Sequence, residues 1–438
     1  MFENIIAQAA AERLKEDLEA GVLPPSMLFF GPPASGKGTA ALELGRVLSC
    51  EGRGAWNCSC PHCGRHRLLL HPDMLLMGPR AFAAEIAASS AVLLREPRHG
   101  RLLLLRAVRK LLGRFSPVLW EGDRELGRLN PLIEALEEDL EELNEAGAEE
   151  PEKIRSAGEK LGASIVKNAL KLEAGGISEH IPVAQIRKAS FWGRLAPAGR
   201  RKLLVIENAD RMKEEALNSL LKILEEPPER LSIILCTTRR DAVLPTLLSR
   251  LRPYRFMTRD RAAAEELIRR VYREPEAWEE GGLEAYLDGF LPVSRDDLYP
   301  LAAFFVSSVA LAALDNFRRR RIAVLPEELV ALGRYSAPIA GAAGLGRPVG
   351  DNKTIVDKVL AGAQDFQVRS LFSHFLAAVL GLVSGSLSGA AGSRRIVYMG
   401  LWKNYATEAA AAVGVWNQSP SLALDRMISG LKGAMAEC

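Results

Sequence analysis

Five short runs of strand character stand out along the chain: Met27–Phe30, Asp73–Met77, Leu203–Ile206, Ser232–Cys236 and the residues just before Phe256. Their apolar positions run on with little alternation, the pattern of strands buried on both faces. Segments of helical periodicity lie between them, so the order predicts a parallel sheet covered by helices on both sides. The clearest helix is Lys213 to Glu226, where apolar residues recur at Ala216/Leu217, Leu220/Leu221 and Leu224 until Pro227 and Pro228 stop it.

Two regions depart from this alternation. Residues 79–178 have a basic first half (Arg95, Arg98, Arg101, Arg106, Arg109, Lys110, Arg114) and an acidic second half in which Leu132, Leu136, Leu140 and Leu143 mark one helix face. This predicts an antiparallel helical hairpin whose solvated charged faces attract one another, with DNA or partner contact by the arginines as the alternative. After Phe256 the pattern is helical throughout, starting at Arg261–Tyr272, with a Gly-, Ala- and Pro-rich loop at Gly341–Gly350. The run Arg318-Arg319-Arg320-Arg321 reads as a solvated helix end or as a contact to a nucleic-acid backbone.

At 438 residues, 48% hydrophobic and 25% charged, the chain has the make-up of a soluble protein of two or three domains. A net charge of +3 excludes a globally basic nucleic-acid binder, so any DNA contact must come from local patches. The start reaches Glu12, Arg13 and Lys15 too soon for a long apolar leader, and a cytoplasmic protein without a membrane partner is expected. Two uncharged stretches, Leu298–Leu314 and Ser370–Ser393, are interrupted by Pro300 and serines or by His374 and a Gly/Ser tail. Both read as buried bundle helices rather than spans.

The chemistry concentrates in three places. Gly31-Pro32-Pro33-Ala34-Ser35-Gly36-Lys37-Gly38-Thr39 follows the first strand and opens a helix, so backbone N–H groups, the helix dipole and the Lys37 ammonium all converge on one anion. This is a nucleoside triphosphate cradle with one departure: Gly38 stands where a hydroxyl should ligate Mg²⁺, and Thr39 comes one residue late. At the end of the third strand, Glu207-Asn208-Ala209-Asp210 places one carboxylate, while Asn208 supplies an amide that cannot act as a general base. ATP binding without efficient turnover is the resulting expectation. Lastly, four of the six cysteines crowd into Cys50, Cys58, Cys60 and Cys63. In a cytosolic chain that crowding favours a structural zinc over disulfides, with His62, His66 or His71 able to replace one thiolate and free buried thiols as the alternative.

The phosphate loop Gly31–Thr39, the stretch Glu207-Asn208-Ala209-Asp210-Arg211-Met212, the helix from Ala216 to Leu224-Glu225-Glu226-Pro227-Pro228, and Leu244-Pro245-Thr246-Leu247-Leu248-Ser249-Arg250 together resemble the AAA+ module of bacterial clamp loaders. The resemblance is closest to the δ′ subunit of DNA polymerase III and next to γ/τ. It covers residues 1–78 and 179–260, more weakly Asn417-Gln418-Ser419-Pro420 and Leu422–Asp425, and leaves the excursion unmatched. It implies an arginine finger at Arg250 acting on a neighbour's nucleotide, a polar γ-phosphate sensor at Thr238, a second sensor at Arg295, and a zinc module at the four cysteines.

The fold class implied is α/β plus all-α: an AAA+ phosphate-loop domain at 1–257, with a zinc module at about 48–72 and a helical insertion at about 79–178, a helical lid at 258–315 and a helical collar at 316–438. The implied partners are γ/τ and δ, the sliding clamp and primed DNA. A γ/τ-type ATPase, a nucleotide kinase (suggested by Gly36-Lys37-Gly38-Thr39 alone) and an adaptor that binds no nucleotide remain as rival readings.

Overall fold

The computed structural model describes the chain except residues 147–149, 179, 276–281, 292–294, 322–324, 363–368, 389–393, 415–417 and 438. It divides into two compact units, Met1–Leu291 and Pro292–Cys438.

In the first unit the chain runs α1 (Ala9–Glu19), β1 (Ser26–Phe30), α2 (Lys37–Ser49), α3 (Pro61–Arg67) and β2 (Met74–Met77). There follow α4 (Ala83–Arg95), α5 (Pro97–Leu112), α6 (Pro117–Trp120), α7 (Arg124–Glu145), α8 (Pro151–Gly176) and α9 (Val183–Arg194). The unit closes with β3 (Lys202–Ile206), α10 (Glu214–Glu225), β4 (Leu231–Thr237), α11 (Pro245–Leu248), β5 (Arg252–Arg255), α12 (Arg261–Val271) and α13 (Leu283–Asp288).

All five apolar runs form strands, and they make one parallel sheet of order β2-β3-β4-β1-β5. Because side chains alternate across a strand, β1 sends Met27 and Phe29 to one face and Leu28 to the other. The first face packs on Leu14 of α1 and Ala40, Ala41 and Leu44 of α2, the second on Ile186 and Trp192 of α9 and Leu217 and Leu220 of α10. Both faces are covered, which is why the strands read as continuous apolar runs.

The excursion is larger than the expected hairpin: α4, α5, α7 and α8 form a four-helix layer with its own core, including Ile86, Leu105, Val108, Leu136, Leu140, Ile165 and Leu172. Nor do its two charged halves simply attract each other. Arg106 and Arg109 donate to the carbonyls of Arg67 and Leu68 at 2.5 and 3.0 Å, Lys110 pairs with Glu85, and Arg95 pairs with Glu274 at 2.7 Å. The reason is geometric: α5 packs on α4 and α8 through its apolar stripe, and its basic side chains face the carbonyls that end α3 and the carboxylates near the sheet.

The second unit is all helical: α14 (Arg295–Arg319), α15 (Glu327–Ala342), α16 (Asn352–Gly362), α17 (Arg369–Ser388), α18 (Arg395–Gly414) and α19 (Pro420–Glu437). Among the described residues, α14 and α17 are long and apolar enough to cross a membrane by length and composition. Here α14 packs against α15, α17 and α19, burying Leu301, Phe304, Phe305 and Val309, and Phe305 stacks edge-on to Phe375 and Trp402. The run Arg318–Arg321 sits exposed at the end of α14.

Candidate functional site

The loop between β1 and α2 lies at the carboxyl edge of the sheet, where a parallel α/β fold leaves room for a ligand. Two glycines are required there. Gly31 has φ +149° and any Cβ would collide with the Phe256 carbonyl, and Gly36 has φ +95° with the Arg259 guanidinium against it. The Ser35 hydroxyl donates to the Pro32 carbonyl at 2.8 Å and pins the turn. Lys37 Nζ donates to the carbonyls of Gly31 and Pro32 at 2.8 and 2.5 Å and to Ser35 Oγ at 3.2 Å, so its charge is held inside the loop. Burial lowers the Lys37 pKa below its ordinary value. Thr39 is exposed on α2.

At the end of β3, Glu207 is mostly buried and both its oxygens are taken. Arg80 Nη1 stands 3.3 Å from Oε1, and Arg114 pairs with Oε2. A Cβ placed on Gly38 would lie 2.7 Å from Glu207 Oε1 and 3.5 Å from Arg80 Nη1, so this pair occupies the space that a hydroxyl side chain after Lys37 would use. Burial works to raise the Glu207 pKa, yet the guanidiniums of Arg80 and Arg114 hold it below the usual carboxylate range. Arg80 also pairs with Glu85 at 2.6 Å. Arg80 is placed by the tight β2–α4 junction: Gly78 has φ +96°, where a side chain would strike the Glu207 carbonyl, and the N-terminus of α4 is fixed by Glu173, which accepts from the N–H groups of Phe82 and Ala83 at 2.9 Å each.

Asn208 adopts a left-handed backbone (φ 50°, ψ 51°) and its amide donates to the Pro79 carbonyl at 2.6 Å. Asp210 accepts from Thr237 Oγ1 at 2.6 Å and from Arg239 at 3.0 and 3.1 Å. Thus Thr237 is the buried hydroxyl at the end of β4, while Thr238 is exposed one residue on. The side chain of Arg295 lies outside the described residues.

Arg250 lies at the other edge of the sheet. It precedes β5, whose Arg252 is in register with Met27 at the start of β1, whereas the phosphate loop leaves the end of β1. At 3.3 Å per residue the two are separated by roughly 15 to 20 Å along the strands. Its guanidinium pairs with Glu225 at 2.7 Å and donates to the Thr246 carbonyl at 2.8 Å, and it stays partly exposed.

The four cysteine Sγ atoms all lie within 4.8 Å of one another. Cys50 and Cys58 Sγ are 3.6 Å apart, near the separation of about 3.8 Å that tetrahedral Zn–S bonds impose. The backbone N–H groups of Gly52 and Cys63 donate to Cys50 and Cys60 sulfur at 3.3 and 3.5 Å. Buried Arg46 donates to Cys63 Sγ at 3.2 Å while pairing with Glu43. Burial opposes ionisation of Cys60, but N–H donors from Glu51 and Cys63 bring its thiol down to about 7. This donor set fits a closed Cys₄ metal site. The histidines turn elsewhere: His62 Nδ1 meets His71 Nε2 at 2.8 Å, and buried His66 meets Ser49 Oγ at 2.9 Å.

Sequence reasoning located the loop, Glu207, Asn208 and the cysteines but missed Arg80, Arg114 and Arg259. The missing hydroxyl at Gly38 was the available signal, because a carboxylate facing that gap needs a cation from somewhere.

These features define a parallel α/β unit with a phosphate loop at its carboxyl edge. A family model described as DNA polymerase III, delta subunit, matches residues 133–260, a stretch holding β3, β4, β5, Glu207 and Arg250 but not the phosphate loop. The DNA polymerase III subunits gamma/tau of Mycobacterium bovis and Mycobacterium tuberculosis are each 31% identical to it over 97 residues, 22% of this chain. That stretch is only 16% of their own length. A solved DNA polymerase III gamma subunit-related protein from Thermotoga maritima aligns with 59% of this chain and 81% of its own, at 17% identity and a TM-score of 0.32. Over residues 133–260 and the 97-residue stretch the chain is similar to subunits of DNA polymerase III.

Proposed function

We propose that this chain is a δ′-type subunit of a bacterial DNA polymerase III clamp loader, which grips ATP weakly or without turnover and lends Arg250 to the adjacent γ/τ site. Its domains would be an AAA+ domain at 1–257, a lid at 258–315 and a collar at 316–438. It would work in the cytoplasm with γ/τ and δ to open the sliding clamp on primed DNA. The four cysteines would hold a structural zinc.

One observation carries the reading: the carboxylate beside the phosphate loop is consumed by two internal guanidiniums, and the neighbouring position holds an amide tied to Pro79. Neither Glu207 nor Asn208 is then free to polarise an attacking water. The loop that would hold phosphate keeps its lysine and glycines, and Arg250, too far along the strands to serve its own loop, would be free to serve another subunit's nucleotide.

The test is reconstitution with γ/τ and δ. Wild-type chain alone should show no single-turnover ATP hydrolysis above background. Arg250→Ala should assemble normally yet remove one site's DNA-stimulated turnover, a loss of about a thousandfold at that site. Full clamp loading by the Arg250→Ala complex would overturn the assignment. Rapid hydrolysis by the isolated chain would instead favour a γ/τ-type ATPase, the reading for which the gamma/tau relatives speak.

A further inference from the structure

The ion pairs around Glu207 have a consequence for what the loop can bind. We infer that this site, read as above as a nucleotide cradle, takes the free polyphosphate anion rather than its magnesium complex, with the guanidiniums of Arg80 and Arg114 in the place of the divalent ion.

Four observations converge. Magnesium demands near-octahedral oxygen ligands at about 2.0–2.1 Å. Here the hydroxyl ligand is absent, and the volume beside Gly38 is filled by Glu207 and Arg80. The carboxylate itself is bridged on one oxygen by Arg80 and on the other by Arg114, so a metal would have to displace a guanidinium from a low-dielectric pair. Of the other polar side chains at this strand end, Asn208 is committed to Pro79 and Asp210 to Thr237 and Arg239.

The second point is charge. Lys37 and Arg259 bond to the loop and Arg80, Lys110 and Arg114 stand at the carboxylates beside it, five cations among which Glu85 and Glu207 are the directly paired anions, with Glu284 and Glu173 acting on Lys37 and Arg80 from further off. Such an excess suits a tetra-anionic polyphosphate better than one already half neutralised by metal.

The third point is an unfilled valence. Arg114 is buried with its guanidinium over the Phe82 ring, and among the described residues its Nε and Nη1 have no acceptor. Buried donors of this kind are paired in finished structures, and a guanidinium fork matches phosphate oxygens. Finally, Arg259 closes over the loop from the far side, donating to the Ala34 carbonyl at 2.6 Å with its other terminal nitrogen against Gly36. The cations of this site are therefore supplied by the chain, and Gly38 is the residue that makes room for them.

Equilibrium titration of the full chain with fluorescent ATP, in metal-stripped buffer without chelator so that cysteine-bound metal stays in place, tests this directly. The affinity should be highest without metal and fall by about tenfold or more when millimolar Mg²⁺ converts the nucleotide to its complex. Arg80→Ala should weaken metal-free binding by about tenfold or more, and Arg80→Lys should recover part of the loss. Thermal melts followed by circular dichroism check that each variant is folded. Wild-type binding that does not weaken on adding Mg²⁺ would overturn the inference while leaving the nucleotide reading standing. So would metal-free binding unaffected by either arginine variant in folded protein. If neither medium supports binding and Lys37→Ala matches wild type, the nucleotide reading itself falls, and this inference with it.

Discussion

At the scale of single residues, the site is governed by buried carboxylates whose charges are borrowed. Glu85 is the clearest case: burial acts to raise its pKa, but Lys110 and Arg80 outweigh that and bring it down to about 2. The unfolded chain titrates near 4.3. A carboxylate depressed on folding stabilises the protein fully above its unfolded pKa, and that contribution disappears as pH falls through the folded value. Glu85 should thus contribute on the order of 3 kcal/mol at neutral pH, lost between about pH 4.3 and pH 2. Glu85→Gln should melt well below wild type at pH 7, with the gap in unfolding free energy closing across that window in urea titrations. A gap independent of pH would mean that the side chain matters through packing alone. Glu207 is held below its ordinary value by two guanidiniums against the burial that would raise it, and it too adds stability that is lost on acidification.

At the scale of elements, the strands were legible because burial on both faces leaves no polar residue to break the run, as in Leu203–Ile206 and Ile233–Cys236. The helix Glu214–Glu225 was equally plain, being amphipathic and ended by prolines. The layer α4–α8 was less so, because part of its packing is made by glycines that leave no apolar signature. Gly158 and Gly162 of α8 sit against Leu93 and Ser90 of α4, and Gly100 of α5 lies on the backbone of Leu93, so close approach replaces apolar side chains. Equally hidden were the ion pairs Arg80–Glu207 and Arg114–Glu207, whose partners are far apart in sequence and carry no spacing rule. The cysteine module shows the opposite case, since its ligands are local. It ties the end of α2 to α3, and α5 in turn anchors to the carbonyls at the end of α3 through Arg106 and Arg109. One zinc per chain is expected by elemental analysis, absent in Cys50→Ser/Cys63→Ser. Stripping it should lower the melting temperature by several degrees and expose the 50–60 segment to protease, because metal binding there is folding free energy.

At the scale of the molecule, two units each own a core large enough to fold alone. Met1–Leu291 has a sheet filled on both faces and a separate core in its helical layer; Pro292–Cys438 centres on α14 with its ring of buried aromatic residues. Lys37, Arg80, Arg114 and Arg259 belong to the first unit, as do the cysteines and Arg250, whereas Arg295, the second sensor that the resemblance implies, belongs to the second. Chain length past about 250–300 residues favours such division, and a division at 291 leaves each part with its own buried surface. A fragment ending at Leu291 should therefore fold cooperatively and bind fluorescent ATP within about twofold of the full chain, while losing assembly with γ/τ and δ if the helical unit is the collar. Circular dichroism melts, titration and gel filtration of the mixture read these separately. A fragment that folds but binds ATP far more weakly would show that the helical unit supplies part of the nucleotide site, and the account of the loop given by its five cations alone would then be incomplete.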